Sequence, residues 1–184
     1  IEQGRQAFRS VTWQGGPVLA GKVDGSEVLS VYNPARPSDV VGEVIQASAV
    51  DIETAISAAQ QGFESWSALS AEERAVCIRR VGELFEHHVH ELFALTTREA
   101  GKTLLDAMGE IREAVDFALY YAEEGIRNQH AGAARGVIAC ISPWNFPLAI
   151  FAGQVLASLA AGNTVIAKPA ETTALIATRA VQLM

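Results

Sequence analysis

A chain of 184 residues is long enough to bury a substantial core in one domain or slightly more. Its 49% hydrophobic and 19% charged residues exclude collagen-like, low-complexity and wholly disordered classes. The net charge of −7 is uneven: residues 135–184 carry +2 (Arg135, Lys168 and Arg179 against Glu171), which leaves −9 on the first 134. With no basic stripe to meet a phosphate backbone, nucleic acid is not expected as a partner.

Residues 1–30 are Gly-rich and weakly patterned, and Glu2, Arg5 and Arg9 have no apolar block behind them, so no secretory signal is read there. The Asp24-Gly25 pair suggests a hairpin tip over residues 22–26, because Asp-Gly tolerates the positive φ of such turns. Short strands are expected at residues 28–32, ending at Asn33-Pro34, and at residues 40–45. Asp51 is the expected cap of a first helix whose Ile52, Ala55, Ile56, Ala59 and Phe63 share one face. Ser70 and Glu73 have the spacing of a capping box, opening a second helix that runs through Ile78, Phe85 and Leu92 to a left-handed stop at Gly101. A third helix is expected over residues 102–122, with Leu104, Ala107, Ile111, Ala114, Val115 and Ala118 inward and Glu110 and Glu113 on its surface.

After Gly132 the character changes. Residues 137–141 form a continuous apolar run of the kind found in strands covered on both faces. Residues 136–167 hold no charge, but Pro143, Trp144, Asn145 and Pro147 interrupt them, and residues 148–161 are too short to cross a bilayer. They read as a buried helix terminated by Gly162, followed by a strand at residues 164–167 and a further helix capped by Thr172 or Thr173. Strand, helix, strand with this spacing gives a parallel pair and a right-handed unit, the opening of a doubly wound sheet. The chain lacks an initiator Met and ends at Met184 inside an apolar-periodic stretch without a stop signal, so it is read as a fragment.

Ligands of open parallel sheets bind beyond the carboxyl ends of the strands, and the segment Ile141-Ser142-Pro143-Trp144-Asn145-Phe146-Pro147 lies there. Its two prolines stiffen the turn around one polar side chain, Asn145. That amide can either donate to an oxygen developing negative charge or bond nearby backbone. Lys168 and Glu171 leave the second strand on the same side, where they can bracket a diol such as a ribose or form a solvated ion pair. No GxGxxG fingerprint occurs in either turn. His87, His88 and His90 cluster on a helix, but Ala94 stands where a zinc-protease motif needs its second His, so no metal site is expected. Cys77 and Cys140 form no CxxC pair, favour a reducing compartment and read as small apolar residues. Phe63 and Trp66 read as core.

Pro143-Trp144-Asn145-Phe146-Pro147, then Ala160-Ala161-Gly162-Asn163-Thr164-Val165 and Lys168-Pro169-Ala170-Glu171, closely resemble the NAD(P)-dependent aldehyde dehydrogenase superfamily. Asn33-Pro34-Ala35 and residues 98–103 (Arg-Glu-Ala-Gly-Lys-Thr) fit as well. Residues 112–122 and 140–151 are most similar to the L-glutamate γ-semialdehyde (1-pyrroline-5-carboxylate) dehydrogenases, including the dehydrogenase module of bifunctional proline utilisation A proteins. The resemblance implies an α/β fold in three parts: a lead-in and hairpin over residues 1–50, a helical layer over 51–131, and the truncated first βαβ of a Rossmann-like, NAD-binding sheet over 132–184. It also implies a mechanism. A Cys thiolate attacks the aldehyde, an Asn amide stabilises the oxyanion, hydride passes to the nicotinamide, and a Glu-activated water hydrolyses the thioester.

On that resemblance Asn145 is the oxyanion donor, and Ile141, Ser142, Pro143, Trp144, Lys168 and Glu171 contact NAD. Phe146 walls the aldehyde tunnel, and Glu113 pairs with the substrate's α-amino group or is an ordinary exposed helix residue. The nucleophilic Cys and general-base Glu would lie beyond Met184, so the chain alone is expected to be inactive. The expected setting is a cytoplasmic oxidoreductase of proline breakdown, acting on a small aldehyde, as a homo-oligomer or part of a bifunctional chain. Another semialdehyde or aliphatic aldehyde as substrate, or a non-catalytic scaffold of the same fold, are the alternatives.

Overall fold

The computed structural model describes residues 6–184, so Glu2 and Arg5 lie outside it. Three strands form the first sheet: β1 (Trp13–Gly15), β2 (Val28–Asn33) and β3 (Arg36–Ile45). Their order is β1-β3-β2, with β1 parallel and β2 antiparallel to the central β3. The hairpin turn is at Pro34-Ala35, where the Asn33 side chain accepts from the Ala35 amide at 2.9 Å and donates to Asp39 at 3.0 Å. Residues 22–26 are therefore not a hairpin tip. The Asp24 and Gly25 amides instead donate to the two Asp51 carboxylate oxygens, at 2.8 Å each. Gly25 does not take a positive φ; glycine is needed there because a Cβ would collide with the Gln46 carbonyl.

Helix α1 (Ala49–Ala68) is capped by Ser48, not by Asp51. Asp51 sits three positions in, completing the capping box by accepting from the Ser48 amide at 2.9 Å. Backbone donors from Asp24, Ser48 and Gly25 hold its carboxyl below the usual range. Ala55, Ile56, Ala59 and Phe63 are half-buried where α1 packs on the sheet of the later chain, but Ile52 is exposed: the residue that the first turn buries is Asp51. Half-buried Trp66 ties α1 to the later chain by donating to the Leu159 carbonyl at 3.0 Å.

The Ser70–Glu73 capping box opens α2 (Ala71–His87) as expected. The expected single helix is broken at His88, and α3 (Val89–Arg98) follows. The break reorients the chain so that five consecutive residues, Leu92 to Thr96, are buried, which one amphipathic stripe cannot achieve. His88 itself faces the Glu91 carboxylate at 3.2 Å and Arg179 at 3.3 Å. Gly101, at φ +65°, supplies the left-handed turn after α3. Arg98 clamps the lead-in: it pairs with Asp39 at 2.7 Å, donates to the Phe8 and Val11 carbonyls, and lies 5.1 Å above the Trp13 ring.

Helix α4 (Leu104–Arg127) is capped by Thr103 and buries Ala107, Ile111, Ala114, Val115 and Ala118. Leu104 is exposed, not inward, and Glu110 is buried at 2% exposure, not on the surface. The second sheet pairs β4 (Val137–Ile141) in parallel with β5 (Thr164–Lys168). Between them runs α5 (Ala149–Ala160), and a short 3₁₀ turn, Glu171–Thr173, leads into α6 (Ala174–Leu183). Strand β4 is not covered on both faces: Cys140 is buried, whereas Ala139 and Ile141 are exposed. One apolar cluster, from Trp13 through Phe85, Leu95, Ile111 and Phe151 to Leu183, joins both sheets and all the later helices. Among the described residues no helix is long and apolar enough to cross a membrane.

Both helices of the βαβ region begin without a local side-chain cap. A helix start leaves orphan backbone N–H donors that are costly to bury unpaired. The structure satisfies them from the helical layer. Glu110 of α4 accepts from the Leu148 and Ala149 amides at 2.7 and 3.3 Å, and Glu99, just after α3, accepts from the Leu175 and Ile176 amides at 2.7 and 2.8 Å. Neither Thr172 nor Thr173 caps α6; Thr173 occupies the cap position, but its hydroxyl makes no hydrogen bond there.

Burial pushes the Glu99 carboxyl from 4.5 up to about 7, against the pull of the two amides that bond it. Between those values the folded chain holds a proton that the unfolded chain has released, so this contribution to stability falls as pH rises through the window. Glu99→Gln, neutral at every pH, is expected to gain on the wild type between pH 5 and pH 8, read as the difference in Tm of the intact protein. A difference independent of pH would contradict the assignment.

Candidate active site

The second sheet fixes where the bend 142–147 emerges. Ile141 pairs with Lys168 at the last rung of the ladder, and the Ser142 amide donates to the Lys168 carbonyl at 3.1 Å. The bend and the exit of β5 therefore share one end of the sheet. Buried Ser142 also donates its hydroxyl to Gln154 of α5 at 3.0 Å, which anchors the start of the bend. At its far end Pro147 and Leu148 are buried, and the Leu148 amide is held by Glu110.

Between these anchors the side chains turn outward. Trp144 is 63% exposed, Asn145 is exposed, and Phe146 is at 38%. Pro143 and Pro147 lack amide donors, so the bend cannot close on itself through them. The Asn145 carboxamide makes no hydrogen bond with any described residue, so it is not spent on the nearby backbone. An exposed carboxamide on a rigid support is a donor free to meet an external oxygen. Phe146 faces the Lys102 ammonium, whose Nζ lies 4.3 Å from its ring centroid.

Lys168 and Glu171 are both exposed at the same sheet end. They form no ion pair with each other, and among the described residues Lys168 donates only to the adjacent Pro169 carbonyl, at 3.0 Å. A donor and a carboxylate open to solvent fit the hydroxyls of a sugar. Glu113 is exposed on α4, about 60° around the helix from Glu110, which touches Leu148. It therefore flanks the side of α4 that faces the bend.

Neither cysteine reaches this region. Cys140 is buried within β4, near Ser158, and Cys77 is exposed on α2, not packed among apolar neighbours as its sequence context suggests. Two shallow concavities lie elsewhere, one against the outer side of α1 and one between α2, α3 and α4. Among the described residues the strand-end side chains Trp144, Asn145, Phe146, Lys168 and Glu171 are all exposed.

Glu110 is the residue that sequence reasoning misplaced. The signal for it was indirect: Phe146-Pro147-Leu148-Ala149 opens a helix with no Ser, Thr, Asp or Asn cap, so a donor-satisfying carboxylate had to come from another element.

The aldehyde dehydrogenase family model matches residues 22–184. The chain belongs to the aldehyde dehydrogenase family. It is 45% identical over 175 residues to the bifunctional protein PutA of Escherichia coli K12, a match covering 94% of this chain and 13% of that protein. It is 39% identical over 173 residues to 1-pyrroline-5-carboxylate dehydrogenase 2 of Bacillus subtilis, covering 86% of this chain and 33% of that one. The solved structure of 1-pyrroline-5-carboxylate dehydrogenase from Thermus with bound NAD superposes at a TM-score of 0.93 and 30% identity, over 99% of this chain and 39% of that one. The chain thus has the aldehyde dehydrogenase fold and spans 13% to 39% of the length of these relatives.

Proposed function

We propose that this chain is the amino-terminal part of an NAD-dependent dehydrogenase that oxidises L-glutamate γ-semialdehyde to L-glutamate in proline breakdown. The observation that carries the reading is the Asn145 carboxamide, held clear of the backbone between two anchored ends at the sheet end where Lys168 and Glu171 also emerge. Its support from kinship is that relatives of both kinds, the bifunctional PutA proteins and the single-function 1-pyrroline-5-carboxylate dehydrogenases, match nearly the whole chain.

In this reading NAD supplies the hydride acceptor. Lys168 would donate to, and Glu171 accept from, hydroxyls of its adenosine ribose, and Ile141, Ser142, Pro143 and Trp144 would line its site. Asn145 Nδ2 donates to the aldehyde oxygen as negative charge builds on it, a contact stronger in the transition state than in the bound substrate. Phe146 walls the path of the apolar substrate chain, and the Glu113 carboxylate meets the α-amino group. The chain alone is inactive in this account, because neither Cys77 nor Cys140 reaches the bend and the nucleophile comes from residues outside it. Two free cysteines suit a reducing, cytoplasmic setting, and kinship to PutA suits either a homo-oligomer or a bifunctional chain.

In the full-length enzyme, Asn145→Ala is expected to lower kcat by about 100- to 1,000-fold with little change in NAD affinity, measured by steady-state turnover and NAD titration. Unchanged turnover would remove the oxyanion role. Glu113→Ala should raise KM for the semialdehyde while sparing simple aliphatic aldehydes, and equal losses across an aldehyde panel would discredit the amino-group contact. Lys168→Ala should raise KM for NAD and leave kcat at saturation nearly unchanged; a fall in kcat alone would argue against the ribose contact.

A further inference from the structure

We infer that Lys102 and Glu110 act as a positioning pair that holds the Asn145 bend from behind, an inference that rests on the role proposed for Asn145. Residues 142 to 148 are secured at both ends by different means. Ser142 is fixed by the sheet and by Gln154, at 3.1 and 3.0 Å. The other end is fixed by one charged unit. Glu110 Oε1 holds the Leu148 and Ala149 amides, and Oε2 faces the Lys102 ammonium at 3.3 Å, an ion pair whose alignment falls short of a hydrogen bond. The same ammonium lies 4.3 Å from the Phe146 ring centroid. One cation therefore bridges the residue next to Asn145 and the carboxylate that caps the following helix.

Both members are enclosed, with side-chain exposures of 17% for Lys102 and 1% for Glu110. A buried pair of this kind depends on both partners, since removing one strands the other's charge in a poorly solvated place. The placement of Lys102 is itself built in. It follows Gly101, whose left-handed φ of +65° turns the chain out of α3, and a Cβ at Gly101 would press on Pro34 at 2.8 Å. Their contacts are with Phe146, Leu148 and Ala149, so they act through these neighbours of Asn145 and not on the reacting atoms.

The test uses the full-length enzyme carrying Lys102→Met, Lys102→Arg, Phe146→Leu or Glu110→Gln, read by amide hydrogen exchange and by kinetics. In Lys102→Met, exchange over residues 142–151 is expected to quicken about tenfold, with residues 89–98 unchanged. Phe146→Leu, which keeps apolar bulk without the π face, should shift the same residues in the same direction, and so should Glu110→Gln. Lys102→Arg, which retains the cation, should stay near wild type. With the semialdehyde, kcat of Lys102→Met should fall about 10- to 100-fold while KM for NAD moves less than about twofold. Wild-type exchange in both Lys102→Met and Phe146→Leu, or quickening spread equally over residues 89–98, would overturn the inference. A wild-type enzyme that fails to oxidise the semialdehyde would remove the proposed function, yet the exchange pattern would still decide whether the pair holds the bend.

Discussion

Two buried carboxylates do what local capping residues do elsewhere in this chain. Helices α1, α2 and α4 are started by Ser48, Ser70 and Thr103, within their own turns. Helices α5 and α6 are started by Glu110, from within α4, and Glu99, from the end of α3. The orphan amides at a helix start carry partial positive charge, and a carboxylate placed there gains both hydrogen bonds and a favourable field. The consequence is architectural: α5 and α6 are complete only when docked on the helical layer. The bend bearing Asn145, immediately before α5, inherits its position from that docking.

The two carboxylates share a duty but not an environment. Glu110 has an ammonium beside its free oxygen. Among the described residues Glu99 bonds the two amides alone, and burial wins against them, pushing its carboxyl up to about 7. A cation therefore stands by the carboxylate nearest the proposed chemistry. The free Asn145 carboxamide, the open strand ends and the exposed Glu113 belong to the first of these settings.

Much of the fold was legible because its signals are local. The Ser70–Glu73 box, the left-handed Gly101 and the strand at residues 137–141 each follow from spacing or from a run of apolar residues. The candidate site was read from a resemblance in sequence, since two prolines about a single amide are by themselves equally compatible with a plain turn. What escaped reading involves partners distant in sequence. Glu110 meets Leu148 across 38 residues and Glu99 meets Leu175 across 76, so a buried cap was read as a surface glutamate. Asp51 illustrates the same limit, because its local box with Ser48 was within reach, whereas its capture of the Asp24 and Gly25 amides displaced the expected hairpin. Strand β1, three residues long, carries too little pattern to be seen, and Ile52 satisfies a helical period on a helix whose first turn buries Asp51 instead.

The most direct measurement is a crystal structure of the intact enzyme with NAD and L-glutamate bound. The account places a γ-carboxylate oxygen within hydrogen-bond reach of Asn145 Nδ2, with the α-amino group at Glu113 and Glu110 still on the Leu148 amide. Glutamate seated out of reach of Asn145, or a Glu110 carboxylate withdrawn from Leu148 while the bend keeps its place, would contradict it.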